Sequence, residues 1–329
     1  MLAIIIVLAL VASVGIYGVK LATKRPSTSD VGYSYPTTTT SSPYPTTTTT
    51  TASSSPTRTT RTTTPDRTTT TTPRSRTTTT TTTTTPRGPQ PVNRLADNPL
   101  FSTTNGVNQV TCNLPAWRSD PQSSQQFFTA ALPCMETAWA PAMQRAGLPY
   151  STPGLKFPSG TTWQSPCGSA SKGTWAAFYC PKDNTIYLPF EGLQTETYGT
   201  KTGVYLALFA HEFAHHIQEL SGVNQAYWNA RYEAGDQTAL GLELSRRSEL
   251  QAQCFGGMWF AGSRNGGGSV TDQVVRDMLQ DGYTRGDWKQ GAPRDHGSPQ
   301  HTGAWQEHGY KNNRTAPCNT WSAAPADVS

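Results

Sequence analysis

The chain has 329 residues, with 26 Lys and Arg against 21 Asp and Glu and a formal net charge of +5. Charged residues make up only 14%, against about 25% in an ordinary soluble domain, which excludes a single uniform globule. Residues 1–93 hold nine basic and two acidic side chains (+7), leaving 17 basic and 19 acidic (−2) for the remainder. The basicity belongs to the N-terminal part, and no nucleic-acid partner is expected.

Leu2–Val19 is an apolar run of the length at which a membrane-spanning helix is the default reading. No basic residue precedes it and no convincing cleavage site follows it, so residues 1–25 are read as a single-pass anchor that holds the rest outside the cytoplasmic membrane. Secretion after signal cleavage is the alternative. Lys20, Lys24 and Arg25 follow the run. By the positive-inside rule they would keep that side in the cytoplasm, a conflict that an upstream start supplying a basic N-terminus would remove.

Residues 26–94 read as a disordered stalk. Between Pro26 and Asn93, Thr fills 31 positions and Pro ten. Such a stretch has too little apolar surface to offset its ordering entropy. Pro and β-branched Thr favour extended backbone, so it could reach about 200 Å. Its Arg residues offer contact to an anionic membrane or wall polymer.

Residues 95–329 carry all nine Trp and all six Cys and form the folded domain. An even Cys count behind an export segment fits disulfides in an oxidising compartment. Pairing of neighbours is expected: 112–134, 167–180 and 254–318. Trp175–Cys180 and Thr185–Pro189, joined by Pro181-Lys182-Asp183-Asn184, read as a hairpin.

Thr202–Ser221 is rich in Ala and Leu, lacks Pro and stops before Gly222, which predicts a mostly buried helix. It contains His211-Glu212-Phe213-Ala214-His215. On a helix, His211 and His215 lie about 40° apart, one turn above the other, so two imidazoles can grip one zinc ion. Glu212 stands beside the first of them, placed to act as a general base. His216 falls about 140° round from His211 and is excluded as a ligand. A catalytic zinc needs a third protein ligand. Ala239–Ala261 reads as a second helix that offers Glu249, with Gln253 one turn on as an acceptor that would orient a ligating histidine. From its residues alone, Glu249 reads equally well as an exposed glutamate beside Arg246 and Arg247. Cys254 points away from Glu249 and is free to pair.

The segments HEFAHHIQ (211–218), ELQAQCFG (249–256), FYCPKDNTIYL (178–188), HGSPQ (296–300) and CNTW (318–321) occur in order. In them the chain resembles the neutral zinc metallopeptidase family of bacterial membrane-anchored proteins, a gluzincin-like group. The resemblance implies an α+β, zincin-like domain with Glu249 as third ligand to one Zn2+ ion. It also implies peptide or protein substrates. The chain departs from the family pattern at Gln253, where Asp is usual, and at His301, where Arg is expected. His296, in the shared HGS motif, is the candidate oxyanion stabiliser, with Tyr283 and His301 as alternatives. By likeness to zincins, the 175–189 hairpin would edge the cleft and accept an extended peptide by β-addition. Asn313-Arg314-Thr315 is a glycosylation sequon. No G-x-S-x-G, phosphate loop or dinucleotide fingerprint is present.

The sequence therefore reads as a stalked zinc endopeptidase outside the membrane. One rival is a catalytically silent zincin-fold binding module, which Gln253 favours. The other is a wall protein whose stalk is the working part.

Overall fold

The computed structural model describes residues 88–172, 176–287 and 290–329. The expected anchor (1–25) and the stalk as far as residue 87 lie outside the described residues, as do Gly173–Trp175 at the head of the expected hairpin. Among the described residues, no helix is long and apolar enough to cross a membrane.

The domain is a mixture of helices and small sheets (α+β). In order come α1 (Pro121–Arg145), β1 (Gly154–Lys156), β2 (Thr162–Ser165), β3 (Gly168–Ser171), β4 (Phe178–Cys180) and β5 (Thr185–Tyr187). These are followed by α2 (Thr202–Ser221), α3 (Val223–Ala234), α4 (Ala239–Gly266), α5 (Asp272–Gly282) and α6 (Pro299–Asn312). One sheet has the order β1-β5-β4, with β1 parallel and β4 antiparallel to β5. β2 and β3 form a separate antiparallel pair. The expected hairpin is thus present as β4–β5, with Cys180 opposite Thr185.

Local chemistry sets the helix ends. Asp120, Thr238, Thr271 and Ser298 cap α1, α4, α5 and α6 by accepting backbone N–H bonds. Gly222, at φ 86°, ends α2 in the left-handed region and turns the chain directly into α3. α4 runs to Gly266, five residues past the predicted end. Contacts to the 110–111 segment hold the extra turn: Val110 N donates to the Gly262 carbonyl (3.3 Å) and Thr111 Oγ1 to that of Gly266 (2.7 Å). The chain is already tied down before residue 95, because Val92 N donates to the Ser221 carbonyl at 3.0 Å.

The core is aromatic: Phe127, Phe128, Trp139, Phe209, Phe213, Phe255, Trp259 and Trp305 are all fully buried. Trp139 meets Phe255 with ring centroids 5.0 Å apart. α4 lies in the middle, packed on α2 and α6. The disulfides are Cys112–Cys134, Cys167–Cys180 and Cys254–Cys318, as expected from neighbour pairing. The sequon is part of the fold: Asn313 Oδ1 accepts from Val107 N and its Nδ2 donates to Val107 O, both at 3.0 Å.

Close approach of α4 and α6 depends on reciprocal glycines. A Cβ on Gly257 would fall 2.0 Å from the Gln306 carbonyl oxygen, and one on Gly309 would fall 1.9 Å from that of Cys254. Gly257→Ala is expected to cost about 1–3 kcal/mol by forcing the helices apart. At Gly256 an added Cβ would meet only Ala210 atoms and His211 N at 3.7 Å, so Gly256→Ala should stay within about 1 kcal/mol of the parent. Thermal melts of the two variants check this, and equal melts would refute it.

Candidate metal centre

α2 presents His211 and His215 to the side of α4 that carries Glu249. The two Nε2 atoms are 3.1 Å apart, and Glu249 Oε2 lies 3.1 Å from the first and 3.6 Å from the second. Two imidazole nitrogens and a carboxylate oxygen at this spacing repel one another unless a proton or a cation lies among them. A tetrahedral ion bound at about 2.0–2.2 Å sets its ligand atoms about 3.3–3.6 Å apart; the three separations are close to that range, two of them slightly short of it, so a small outward shift fits these donors to zinc. Glu249 is therefore not the exposed glutamate of the alternative reading. Arg247 pairs instead with Glu243 (2.7 Å), and Arg246 donates to the Val328 carbonyl (2.7 Å).

The charges interlock. Burial pushes the His215 ring down, but the Glu249 carboxylate outweighs it and raises the pKa to about 9. Burial pushes the Glu249 carboxyl up, yet His215 and His296 hold it well below the ordinary carboxylate range. His216 faces away, fully buried. Its Nε2 meets the Ser151 carbonyl at 2.8 Å and its Nδ1 the Tyr179 hydroxyl at 3.3 Å. Burial presses its pKa down to about 4, so it packs as a neutral ring.

Glu212 is buried and lines a cavity of about 220 Å³ together with His211, Glu249 and His296. Its Oε2 accepts from Tyr179 N, on the outer edge of β4, at 2.9 Å. The edge strand thus fixes the expected base. That N–H is consequently not open to a peptide laid along β4, which corrects the simple β-addition reading at this position.

The residue that orients a histidine is also corrected. Gln253 lines the cavity, but its Oε1 accepts from Gln306 Nε2 (3.3 Å), and His211 Nδ1 is buried without a hydrogen-bond partner among the described residues. The orienting side chain is Gln218, one turn beyond His215 on α2. Gln218 Nε2 donates to the Ser248 carbonyl (2.9 Å) and to Gln251 Oε1 (3.0 Å). Because the Ser248 carbonyl can only accept, Gln218 must turn its oxygen to His215 Nδ1, 2.8 Å away. His215 then carries its proton on Nδ1 and offers the Nε2 lone pair to an ion. Gln251 Nε2 in turn reaches the Cys318 carbonyl at 3.4 Å. Gln218 stands in the HEFAHHIQ segment, three residues after His215, a helical spacing that could have flagged it.

His296 Nε2 lies 3.9 Å from Glu249 Oε2, outside the group of donors formed by His211, His215 and Glu249. Its Nδ1 is held by Asp295 Oδ1 at 2.7 Å, and the nearby Glu249 carboxylate raises its pKa to about 9. The loop that carries it is folded around Asp287, whose carboxylate accepts from His296 N (3.1 Å) and Gly297 N (2.8 Å). Sequence reasoning missed both aspartates. The alternatives to His296 fall elsewhere. Tyr283 Oη donates to Glu307 at 2.8 Å, and His301 Nδ1 meets the Ser329 carbonyl at 2.6 Å. Neither is among the residues that line the cavity.

Uncharacterized protein YpfJ of Escherichia coli K12 is 27% identical over 208 residues, covering 60% of this chain and 71% of that protein. Uncharacterized proteins Mb2605 of Mycobacterium bovis and Rv2575 of Mycobacterium tuberculosis H37Rv are each 30% identical over 213 residues, covering 58% of this chain and 68% of theirs. No solved structure matches the chain. The model of the family described as "Putative neutral zinc metallopeptidase" matches residues 92–321, and the chain belongs to that family.

Proposed function

We propose that this protein is a zinc-dependent endopeptidase with a zincin-like catalytic domain. The observation that carries the reading is the convergence of His211, His215 and Glu249 at near-tetrahedral spacing, with Glu212 lining one cavity with His211 and Glu249. A zinc ion held by these three residues would supply Lewis acidity, polarising a peptide carbonyl and lowering the pKa of a water. Glu212, steadied by Tyr179 N–H, takes the proton of the attacking water on a carboxylate oxygen and passes it to the leaving amine nitrogen. His296 is the candidate donor to the carbonyl oxygen as charge develops there. Gln218 keeps His215 in its ligating tautomer. An extended substrate can still lie against Ala177, which immediately precedes β4 and lines the cavity.

The tether completes the proposal: residues 2–19 anchor the chain, the stalk spaces the domain from the membrane, and the domain works outside it. Three disulfides support an oxidising compartment.

Purified protein is expected to carry one zinc per chain and to cleave members of a broad peptide library. Chelation should stop cleavage and added zinc should restore it. The orphaned His211 Nδ1 favours one second reading, a silent module that keeps the metal. Zinc bound at one per chain with no peptide cut would support that module and overturn the peptidase.

A further inference from the structure

The same cavity contains a cation that hydrolysis does not use. Arg285 lines it beside Glu212, Gly286 and Thr302. Its Nε is bonded to Asp281 Oδ2, an almost fully buried carboxylate on α5. Its guanidinium lies over the Tyr198 ring, 5.6 Å from the centroid. Arg–carboxylate pairs are frequently two-pronged. This one is single: Arg285 meets Asp281 through Nε alone, and neither Arg285 Nη makes a hydrogen bond among the described residues. Arg285 is thus braced from behind through Nε and restrained by Tyr198, while the two Nη atoms of its planar fork have no acceptor among the described residues.

That fork matches the geometry of a carboxylate, and a guanidinium fixed before binding loses little side-chain freedom when it grips one. We infer that Arg285 forms a carboxylate-binding subsite, so that the enzyme selects peptides carrying a carboxylate close to the bond it cuts. The inference rests on the peptidase reading. The carboxylate has two sources, an Asp or Glu side chain or a free C-terminus.

The test uses the full chain loaded with zinc and three peptide libraries of one random design. The first contains Asp and Glu, the second Asn and Gln in their place with an amidated C-terminus, and the third is the second with a free C-terminal carboxylate. The wild type is expected to favour the first or the third over the second by about tenfold or more in kcat/KM, mostly through KM. Preference for the first identifies a side-chain carboxylate and preference for the third the terminus. Arg285→Gln alone would leave Asp281 buried and unpaired, so the variant is D281N/R285Q, with its fold checked by thermal melt. It should lose the preference, and R285K, with charge but no fork, should keep only part of it. Binding supplies a readout without turnover. Glu212→Gln protein should bind the favoured peptides about tenfold more tightly than the amidated ones, and D281N/R285Q on that background should abolish the difference. Cleavage of all three libraries at equal efficiency, or a preference unchanged in D281N/R285Q, would overturn the subsite and leave the peptidase standing. If zinc-loaded wild type cut nothing, the peptidase reading would fall, and the binding ratio would still decide the carboxylate site.

Discussion

Glu212→Gln is expected to lower peptide hydrolysis by about 10²–10⁴-fold, the usual contribution of a positioned general base, while zinc stays at one ion per chain. Glutamine has nearly the same shape, and its side-chain oxygen can still accept from Tyr179 N–H, now at 2.9 Å from Glu212 Oε2. The cavity and the three donors on α2 and α4 should therefore persist. What is lost is an oxygen able to take a proton from water. Zinc analysis, a thermal melt and kcat/KM on any cleaved peptide separate the outcomes. A variant that cut as well as its parent would sink the proposed mechanism. One that lost zinc along with activity would point instead to a structural role for Glu212.

The second large effect concerns a residue that touches no substrate. Gln218→Leu should weaken zinc binding by about 10–100-fold, the range seen when a partner that orients a ligating histidine is removed. Leucine cannot accept from His215 Nδ1, so the ring is free to turn and to exchange tautomers. Leucine also leaves Gln251 Oε1, 3.0 Å from Gln218 Nε2, without that donor, which costs about 1–3 kcal/mol of stability for a buried acceptor. Gln218→Glu keeps the acceptor for His215 Nδ1 and should bind zinc more tightly than Gln218→Leu, although its second oxygen then faces the Ser248 carbonyl and Gln251 Oε1 and costs stability. Competition against a chelator of known strength measures both variants. Unchanged affinity in Gln218→Leu would show that His215 is held by packing alone.

These two residues mark where the sequence was and was not legible. His211, Glu212 and His215 could be read outright because helical periodicity alone puts both imidazoles on one face, and α2 has the predicted bounds. Glu249 could be found on its helix but not assigned from it. What brings it to the histidines is contact with α2 across 38 positions of chain, which no local pattern encodes. Gln253 was the natural partner by spacing, yet α6 brings Gln306 against it. The amide on α2 took the role instead because Ser248 and Gln251 of α4 orient it. α1 carries Pro133 and Pro141 within its 25 residues, so propensity hid a helix that the core holds by burying Phe127, Phe128 and Trp139. Arg285, Asp287 and Asp295 lie in a stretch whose sequence reads as ordinary polar loop. Only its fold over the cavity gives them work.

The amide character of Gln218 has a consequence for reactivity. A carboxylate against Nδ1 would push electron density through the imidazole toward whatever Nε2 holds. Here His215 meets a neutral amide, and His211 Nδ1 meets no partner among the described residues. Both rings are therefore weaker electron donors than carboxylate-backed histidines, and Glu249 would contribute the only full negative charge among the three candidate ligands. A cation held there would keep more of its own charge and would be the more electrophilic for it.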